Sequence, residues 1–372
     1  MPVPFIDLSR LTKEISADVL NDWKGCLERC EFVGGPSVTA MEKKLREVLG
    51  VPHGLSCANG TDALIVALQL AGVKHGSKVA LPNLTFWATY EAVAQLGATA
   101  VLIDIDEADL QMSFDEFKKA HAAHKFEAAL LPHLYGWASA HLADFRAFCK
   151  EHGVFLVEDG AQCFGVEVKG EPILKHAAVG TISFYPAKVI GGAMDGGAIT
   201  MQTEAHEKLA RSLCNHGRSD HYSYAHVGWN SRMGGMQGAF LGRMLDKTAA
   251  VVANRRKAAE MYREKLAKVS GGKIKVWGPP AGVSENGYLN VLTVEGKKGQ
   301  EIVDKLKAAG IGAARTYPET MDIQPPAKPA IRFGELAKSK SFCERVVNLP
   351  LFYGIREDEI DASVAALVTA IG

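Results

Sequence analysis

The sequence lacks several features that would place it outside the soluble globular proteins. It has no excess of charge of either sign, because 42 Lys and Arg residues balance 42 Asp and Glu residues. A balanced chain has no global field that draws it onto nucleic acid or an anionic membrane, so we expect neither partner. No apolar run approaches the ~20 residues that cross a bilayer. The first residues, with Pro2, Pro4 and Asp7, do not resemble a cleavable secretory signal.

Cysteine is scarce, and its number is odd. The seven cysteines are scattered, which favours reduced thiols in a cytoplasm over a disulfide framework. Cys26 and Cys30 lie one helical turn apart, but no second Cys or His pair with zinc-site spacing accompanies them. We therefore expect a cytoplasmic protein and predict no metal site.

The middle of the chain alternates between short apolar runs and helix-like segments. The clearest strand candidates are residues 54–57, 78–81, 100–105, 128–134 and 154–157. Short buried runs separated by helices are typical of parallel strands joined by right-handed crossovers. In such folds ligands bind beyond the carboxyl ends of the strands, so the residues that follow each run are the candidates for function.

The last third of the chain has a different pattern. Residues 236–269 predict one or two long helices, followed by strands at 273–277 and 288–294 and a helix at 300–309. Residues 320–330 are rich in proline and predict a loop, and a helix closes the chain at 357–370. We predict a large α/β domain over residues 1–250, with a mainly parallel central sheet between helices. A smaller α+β domain follows over residues 251–372.

Lys188 is the first candidate for chemistry. It follows an apolar run at 180–185 and precedes a glycine-rich turn at 191–197. A lysine held in a partly desolvated turn favours the neutral amine that Schiff-base chemistry requires. The alternative is an ordinary solvated lysine, which is what most lysines are.

Asp159 and Gln162 support the first interpretation of Lys188. They follow the run at 154–157, so the carboxylate is expected at the carboxyl end of a strand. A carboxylate there can pair with the pyridinium nitrogen of pyridoxal phosphate (PLP), and this pairing keeps the ring protonated so that it can act as an electron sink. Gln162 can donate a hydrogen bond to the ring oxygen. The alternative is a metal-binding pair of Glu158 and Asp159, for which Asp104 and Asp106 are the only other similarly placed acids.

Two further segments are weaker signals. Gly60 and Thr61 open a helix, where free N–H groups and the helix dipole bind phosphate, although a plain N-cap explains the same residues. Phe86 follows the run at 78–81 and can stack on a flat ring, although a core aromatic is the simpler interpretation of an isolated Phe.

Together these segments resemble the DegT/StrS family of PLP-dependent sugar-nucleotide aminotransferases, whose fold is fold type I (aspartate aminotransferase-like). The resemblance covers nearly the whole chain. Each segment is common alone, but their order and spacing are not. The matching segments are residues 4–8, 32–38, 59–64, 82–89, 158–162, 183–198, 215–218, 227–233 and 348–351.

The resemblance implies a role for each candidate residue. Lys188 would carry PLP as a Schiff base, Asp159 would pair with the ring nitrogen, and Gln162 would lie near the ring hydroxyl. Phe86 would stack on the ring. The phosphate would be held by Gly60, Thr61 and Ser183, and by Asn230 from the neighbouring subunit, which implies a homodimer with active sites at the interface. Residues in segments that would approach the substrate are Asn215, Arg232 and Tyr317.

The implied reaction is amination of a nucleotide-linked keto-sugar, with L-glutamate as donor and with PLP alternating with pyridoxamine phosphate (PMP).

Phe164 and Thr316 stand where many relatives have His, which puts the usual sugar contacts in doubt. The retained Lys188 favours transamination, because relatives that act as dehydratases carry His there. The alternatives are a PLP-dependent dehydratase or epimerase and a PLP-binding sensor without turnover; an NAD oxidoreductase lacks the required fingerprint. Neither the sugar nor its nucleotide follows from the sequence.

Overall fold

A computed structural model describes residues 2–372 of the chain. Its helices are α1 (Ser9–Glu28), α2 (Pro36–Leu49), α3 (Gly60–Leu70), α4 (Trp87–Gln95), α5 (Phe114–His124), α6 (Leu142–His152), α7 (Glu204–Cys214), α8 (Gly235–Asp246), α9 (Thr248–Val269), α10 (Gly299–Ala308), α11 (Ala337–Arg345) and α12 (Glu357–Ile371). Its strands are β1 (His53–Cys57), β2 (Lys78–Pro82), β3 (Thr99–Ile103), β4 (Ala128–Pro132), β5 (Phe155–Asp159), β6 (Glu167–Val168), β7 (Glu171–Pro172), β8 (Val179–Ser183), β9 (Gly197–Met201), β10 (Ile274–Val276), β11 (Val283–Ser284), β12 (Leu292–Val294) and β13 (Ile331–Arg332).

The central sheet has eight strands in the order β1-β9-β8-β5-β4-β2-β3-β13. The pairs from β8 through β5, β4, β2 and β3 to β13 are parallel, and only the two pairs that involve β9 are antiparallel. Both faces of the sheet are covered, because Val79 and Leu81 pack into one apolar core and Ala80 packs into another. This burial on both faces explains why the strands read as continuous apolar runs. The predicted parallel sheet is confirmed.

Two predicted strands are shorter than expected, because other groups take their backbone bonds. The run predicted at 128–134 ends at Pro132 and turns into a short 3-10 helix (Leu134–Gly136) in which Tyr135 has a φ of +64°. The run predicted at 288–294 becomes strand only at Leu292–Val294. Before that point, side chains bind the backbone of Tyr288, whose N–H donates to Asn286 and whose carbonyl accepts from Arg255.

The segment after α9 forms its own apolar core, in which α9, α10, α12, β10 and β12 take part. Val3 belongs to this core and exchanges backbone hydrogen bonds with Gly310 and Gly312. The chain then returns to the large sheet. The predicted loop at 320–330 contains two short 3-10 turns, and β13 directly after it pairs in parallel with β3. The division at residue 250 stays a prediction.

Asp104, just beyond β3, anchors this returning segment. Its carboxylate accepts hydrogen bonds from the N–H groups of Lys338 (2.9 Å) and Ser339 (2.8 Å), which lie in the first turn of α11. Helix α11 has no capping side chain of its own, since Leu336 stands at its N-cap. Asp104 therefore supplies the cap from a residue more than 200 positions away and serves no metal site with Asp159.

No helix within residues 2–372 is both long enough and apolar enough to span a membrane.

We expect Asp104→Ala to destabilise the protein by about 1–2 kcal/mol, because two N–H groups in the first turn of α11, that of the buried Ser339 among them, lose their acceptor. The melting temperature of the variant should fall by a few degrees, and limited proteolysis should cut first between β13 and α11. The matched control is Asp115→Ala, whose carboxylate is largely exposed and pairs with Lys118. Equal melting temperatures for the two variants would contradict the capping role.

Candidate active site at the carboxyl ends of the parallel strands

Asp159 is the last residue of β5 and is 8% exposed. Its Oδ1 accepts hydrogen bonds from the N–H of Ala161 (2.9 Å) and the hydroxyl of Thr181 (3.4 Å). Burial raises the pKa of Asp159 above its ordinary value, while the bond from Ala161 and the charge of Lys188 oppose the rise. No hydrogen bond within residues 2–372 reaches Oδ2. The site thus holds a buried carboxylate that has one oxygen left for a cationic partner.

Glu158 precedes Asp159 but serves a different purpose. Neighbouring residues on a strand point to opposite faces, and the carboxylate of Glu158 accepts bonds from His133 Nε2 (3.0 Å) and from Arg146 Nε and Nη2 (both 2.8 Å). Burial alone would raise the pKa of Glu158, but the bonds from His133 and Arg146 outweigh it and hold the pKa below its ordinary value. The alternative of a metal-binding Glu158 and Asp159 pair is therefore wrong.

Gln162 lies in the loop after β5 and binds Tyr317, another predicted site residue. Its Oε1 accepts from the N–H of Tyr135 (2.7 Å), and its Nε2 donates to the hydroxyl of Tyr317. Burial raises the pKa of Tyr317 well above its ordinary value. The ring of Tyr317 lies 6.2 Å from that of Phe86, which is 57% exposed at the start of α4. Phe86 is thus not a core aromatic and offers an open ring face.

Gly60, Thr61 and Ser183 lie where α3 begins next to the end of β8. A Cβ on Gly60 would lie only 2.8 Å from the Cβ of Ser183, so the helix can approach the strand this closely only with glycine at this position. Asn59 caps the helix by accepting from Asp62 N–H (2.8 Å), which leaves the N–H groups of Gly60 and Thr61 without an intrahelical partner. Two backbone donors and a hydroxyl therefore converge at a helix N-terminus, which suits a phosphate.

Lys188 lies in the turn between β8 and β9 and is partly buried. Its Nζ donates to the hydroxyl of Tyr288 at 3.4 Å and lies 5.3 Å from the centroid of that ring. The two side chains line one cavity with Thr316, with segment 5–8 and with Phe352. Lys188 therefore faces a space between the large sheet and the C-terminal part of the chain.

Asn215, Asn230 and Arg232 form a separate cluster. Arg232 Nε donates to Asn230 Oδ1 at 3.1 Å, and its Nη1 donates to Asn215 Oδ1 at 3.4 Å. Ser231 connects the cluster to the start of α3 by accepting from Ala58 N–H (3.1 Å). Within residues 2–372 no hydrogen bond joins the cluster to Lys188, Asp159 or Gln162, and Asn230 is exposed. The cluster is instead joined through Ser231 to the start of α3.

Sequence reasoning missed Asn286 and Tyr288 at the site, and also His133 and Arg146, which bind Glu158 on the other face of the sheet. His133 could have been found, because it directly follows β4 and the residues after each strand were the ones to inspect. Arg146, Asn286 and Tyr288 carried no such signal, since a helix face and an irregular segment place them next to the strand ends.

The residues present fit PLP. The free oxygen of the buried Asp159 suits a protonated ring nitrogen, and such a cation would offset the burial that raises the pKa of Asp159. The N–H groups of Gly60 and Thr61 suit the phosphate. Lys188 would hold the aldehyde carbon, and the open face of Phe86 suits a flat ring.

Comparison with known proteins shows the class of enzyme that this fold and site define. A family model described as the DegT/DnrJ/EryC1/StrS aminotransferase family matches residues 13–368. The chain therefore belongs to the DegT/DnrJ/EryC1/StrS aminotransferase family.

Individual relatives match over 85% or more of their length. The chain is 31% identical over 371 residues to a UDP-N-acetyl-3-dehydro-alpha-D-glucosamine 3-aminotransferase of Acidithiobacillus ferrooxidans, covering 98% of this chain and 97% of that protein. The crystal structure of DesV from S. venezuelae with a ketimine intermediate is similar with a TM-score of 0.93 and 28% identity, covering 99% and 98% of the two chains. The structure of NtdA from Bacillus subtilis with bound PMP has a TM-score of 0.88 and 25% identity, covering 100% and 85%. The predicted fold class, the PLP and PMP cofactor and the aminotransferase class are confirmed.

We expect Asp159→Asn to have opposite effects on activity and stability. The amide keeps the bonds from Ala161 and Thr181 but cannot balance a ring cation, so activity should fall roughly 100-fold or more. Without PLP, the same change removes a buried charge and should raise stability by on the order of 1 kcal/mol at neutral pH. The measurements are transamination rate and melting temperature of the PLP-free protein.

The pH dependence of the stability gain from Asp159→Asn tests whether burial of the charge causes it. Because burial raises the folded-state pKa of Asp159 above 3.8, its charge destabilises the wild type at neutral pH, and this penalty disappears as pH falls through the raised pKa. The gain from Asp159→Asn should therefore shrink toward acid pH. Asp144→Asn, at an exposed carboxylate, should show no gain. A constant gain at every pH would contradict the burial argument.

Proposed function

We propose that the protein transfers an amino group from L-glutamate to a nucleotide-linked keto-sugar, with Lys188 carrying the cofactor. The observation that carries the proposal is the buried carboxylate of Asp159, which keeps one oxygen free for a cation at the end of β5. The relative named for a UDP-linked 3-dehydro sugar, 31% identical over its full length, makes a UDP-linked 3-keto-sugar the first substrate to test.

When bound, PLP supplies the electron sink for breaking the Cα–H bond of the amino donor. Nζ of Lys188 holds the cofactor at rest, then takes the proton from that Cα and gives it up again on the way to product. Asp159 would keep the ring nitrogen charged through both half-reactions. Gln162 and Phe86 would hold the ring, and the N–H groups at the start of α3 would bind the phosphate.

We further propose a homodimer in which each site is completed by the partner. Asn230 is exposed and lies in a cluster that has no hydrogen bond to Lys188 within residues 2–372 of one chain. Four large apolar side chains in the segments at 32–33 and 222–227 are exposed: Phe32 63%, Val33 59%, Tyr222 83% and Val227 91%. Apolar surface of this kind marks an interface. We assign Asn230 to the cofactor phosphate of the partner subunit, and Asn215, Arg232 and Tyr317 to the substrate.

We place the enzyme in the cytoplasm and in amino-sugar biosynthesis, with polysaccharide as the destination of the product. All seven cysteines are free, and six of them are buried, which suits a reducing compartment. Nucleotide-linked sugars are the activated donors from which polysaccharides are built.

The direct test is the absorbance of the protein with PLP, before and after L-glutamate. The wild type should show the visible band of PLP bound to a lysine amine, and glutamate should convert that band to the near-ultraviolet absorbance of PMP. Lys188→Ala should lack both the band and its conversion, because no other lysine lines the cavity.

Lys169→Ala, at an exposed lysine, is the control and should behave as the wild type. A wild type without the visible band would contradict the role of Lys188. A band that glutamate leaves unchanged would contradict the proposed donor. Screening UDP-, dTDP- and GDP-linked 3-keto and 4-keto sugars against the PMP form then identifies the acceptor.

Mixed dimers test the shared site. Asn230→Ala should bind PLP about tenfold more weakly, the loss expected for one hydrogen bond to a phosphate. Mixing this variant with Lys188→Ala should restore wild-type PLP affinity in about a quarter of the sites, because half of the dimers then combine one intact Lys188 with one intact Asn230. The measurement is a PLP titration by visible absorbance. No recovery on mixing would contradict a site shared between subunits.

A further inference from the structure

The Lys188 amine has one side-chain hydrogen-bond partner within residues 2–372, the hydroxyl of Tyr288. Nζ lies 3.4 Å from Oη and 5.3 Å from the centroid of the ring. A phenol oxygen accepts a hydrogen bond from an ammonium group, and an aromatic face attracts a cation. Both contacts therefore favour the Lys188 amine when it carries a proton.

The backbone of Tyr288 is fixed from two directions. Its N–H donates to Asn286 Oδ1 (2.9 Å), and its carbonyl accepts from Arg255 Nη2 (2.9 Å). Asn286 has no exposed surface, and its Nδ2 donates to the carbonyls of Gln162 (2.8 Å) and Phe164 (3.0 Å). Because Gln162 and Phe164 lie in the loop after β5, Asn286 ties Tyr288 to the strand that ends in the buried carboxylate.

Arg255 is a buried cation that binds the backbone of the same segment. It is 7% exposed and has no carboxylate within ion-pair distance in residues 2–372. Its guanidinium donates to the carbonyls of Gly287 (3.0 Å), Tyr288 (2.9 Å) and Leu351 (3.0 Å). Burial lowers the pKa of Arg255 to about 10. Burying a cation without a counter-ion lowers the stability of the fold. Arg255 is nevertheless buried here, where it fixes the backbone of the segment at 287–288.

We propose that Tyr288 is a further catalytic residue of the reaction proposed above, on which this inference rests. Its hydroxyl oxygen accepts a hydrogen bond from the Lys188 amine while that amine is free of the cofactor and carries the proton taken from the amino donor. Arg255 and Asn286 are positioning residues, because each binds the backbone of Tyr288 and neither has a hydrogen bond to the Lys188 amine within residues 2–372.

The proton balance of this step is simple. The neutral Nζ of Lys188 gains one proton from the Cα–H of the donor and becomes an ammonium group, and the electron pair of the broken C–H bond stays with the donor and its cofactor. Lys188 later gives up this proton toward product. Tyr288 keeps its own proton throughout and only accepts a hydrogen bond, so it needs no co-reactant.

Tyr288→Phe tests the proposal, because it removes the hydroxyl and keeps the ring and the backbone bonds. In the PLP-loaded enzyme the first half-reaction with L-glutamate, followed by stopped-flow absorbance, should slow about tenfold to a hundredfold, the loss expected for one hydrogen bond to a charged group. The isotope effect with glutamate deuterated at Cα should rise, since proton transfer limits the rate more strongly. PLP affinity and melting temperature should not change.

A second measurement does not depend on turnover. In the PLP-free protein, Lys188 of Tyr288→Phe should be acetylated by acetic anhydride faster than in the wild type, as measured by mass spectrometry, because the hydroxyl that holds the amine is gone. Tyr185→Phe is the matched control, since Tyr185 is 54% exposed and its hydroxyl has no hydrogen-bond partner within residues 2–372. It should match the wild type in both experiments.

Three outcomes would overturn the inference: an unchanged half-reaction rate, a slower rate with an unchanged isotope effect and weaker PLP binding, or equal acetylation of Lys188. The second outcome would reduce Tyr288 to a structural role. If the wild type itself does not respond to glutamate, the proposed function fails instead, and acetylation alone then decides whether Tyr288 holds the Lys188 amine.

Discussion

The burial of the Asp159 carboxylate is the constraint on which the rest of the site depends. A charge at the end of a buried strand is costly, and here the cost is offset by one N–H donor, one hydroxyl and the nearby charge of Lys188. The neighbouring acid, Glu158, faces the other side of the strand and is neutralised there by Arg146 and His133. Strand alternation thus places two carboxylates side by side in sequence without placing their charges in one pocket. Asp159 remains available for a single cationic partner.

The part of the site that suits a phosphate is formed by backbone N–H groups rather than by charged side chains. Helix α3 starts against β8 at a distance that only Gly60 permits, and Asn59 caps the helix without occupying its first two N–H groups. Fixed backbone donors need no reorganisation when a phosphate binds. Among residues 2–372, the cations that line the cavity beside Tyr288 are Lys188 and the buried Arg255.

The C-terminal part reaches the site through backbone contacts. Asn286 binds the loop after β5, Arg255 binds the segment at 287–288, and Tyr288 meets Lys188 between them. Asp104 makes a similar connection at the other side of the sheet, where it caps α11. The contacts of Tyr288 with Lys188 and of Asn286 with Gln162 join residues that are 100 and 124 positions apart, so the position of the lysine depends on how the two parts of the chain pack together.

The sequence alone determined the parallel sheet, the strand that ends in Asp159 and the helix start at Gly60, because a local pattern encodes each of them, and it predicted Lys188 as the candidate for the Schiff base. Apolar runs mark buried strands, and residues directly after a run lie at the ligand edge whatever surrounds them. Only the tertiary structure decided that Tyr288 contacts Lys188 and that Asn286 binds the loop after β5. These facts depend on packing between distant segments, where contacts between side chains and backbone, rather than local periodicity, set the geometry.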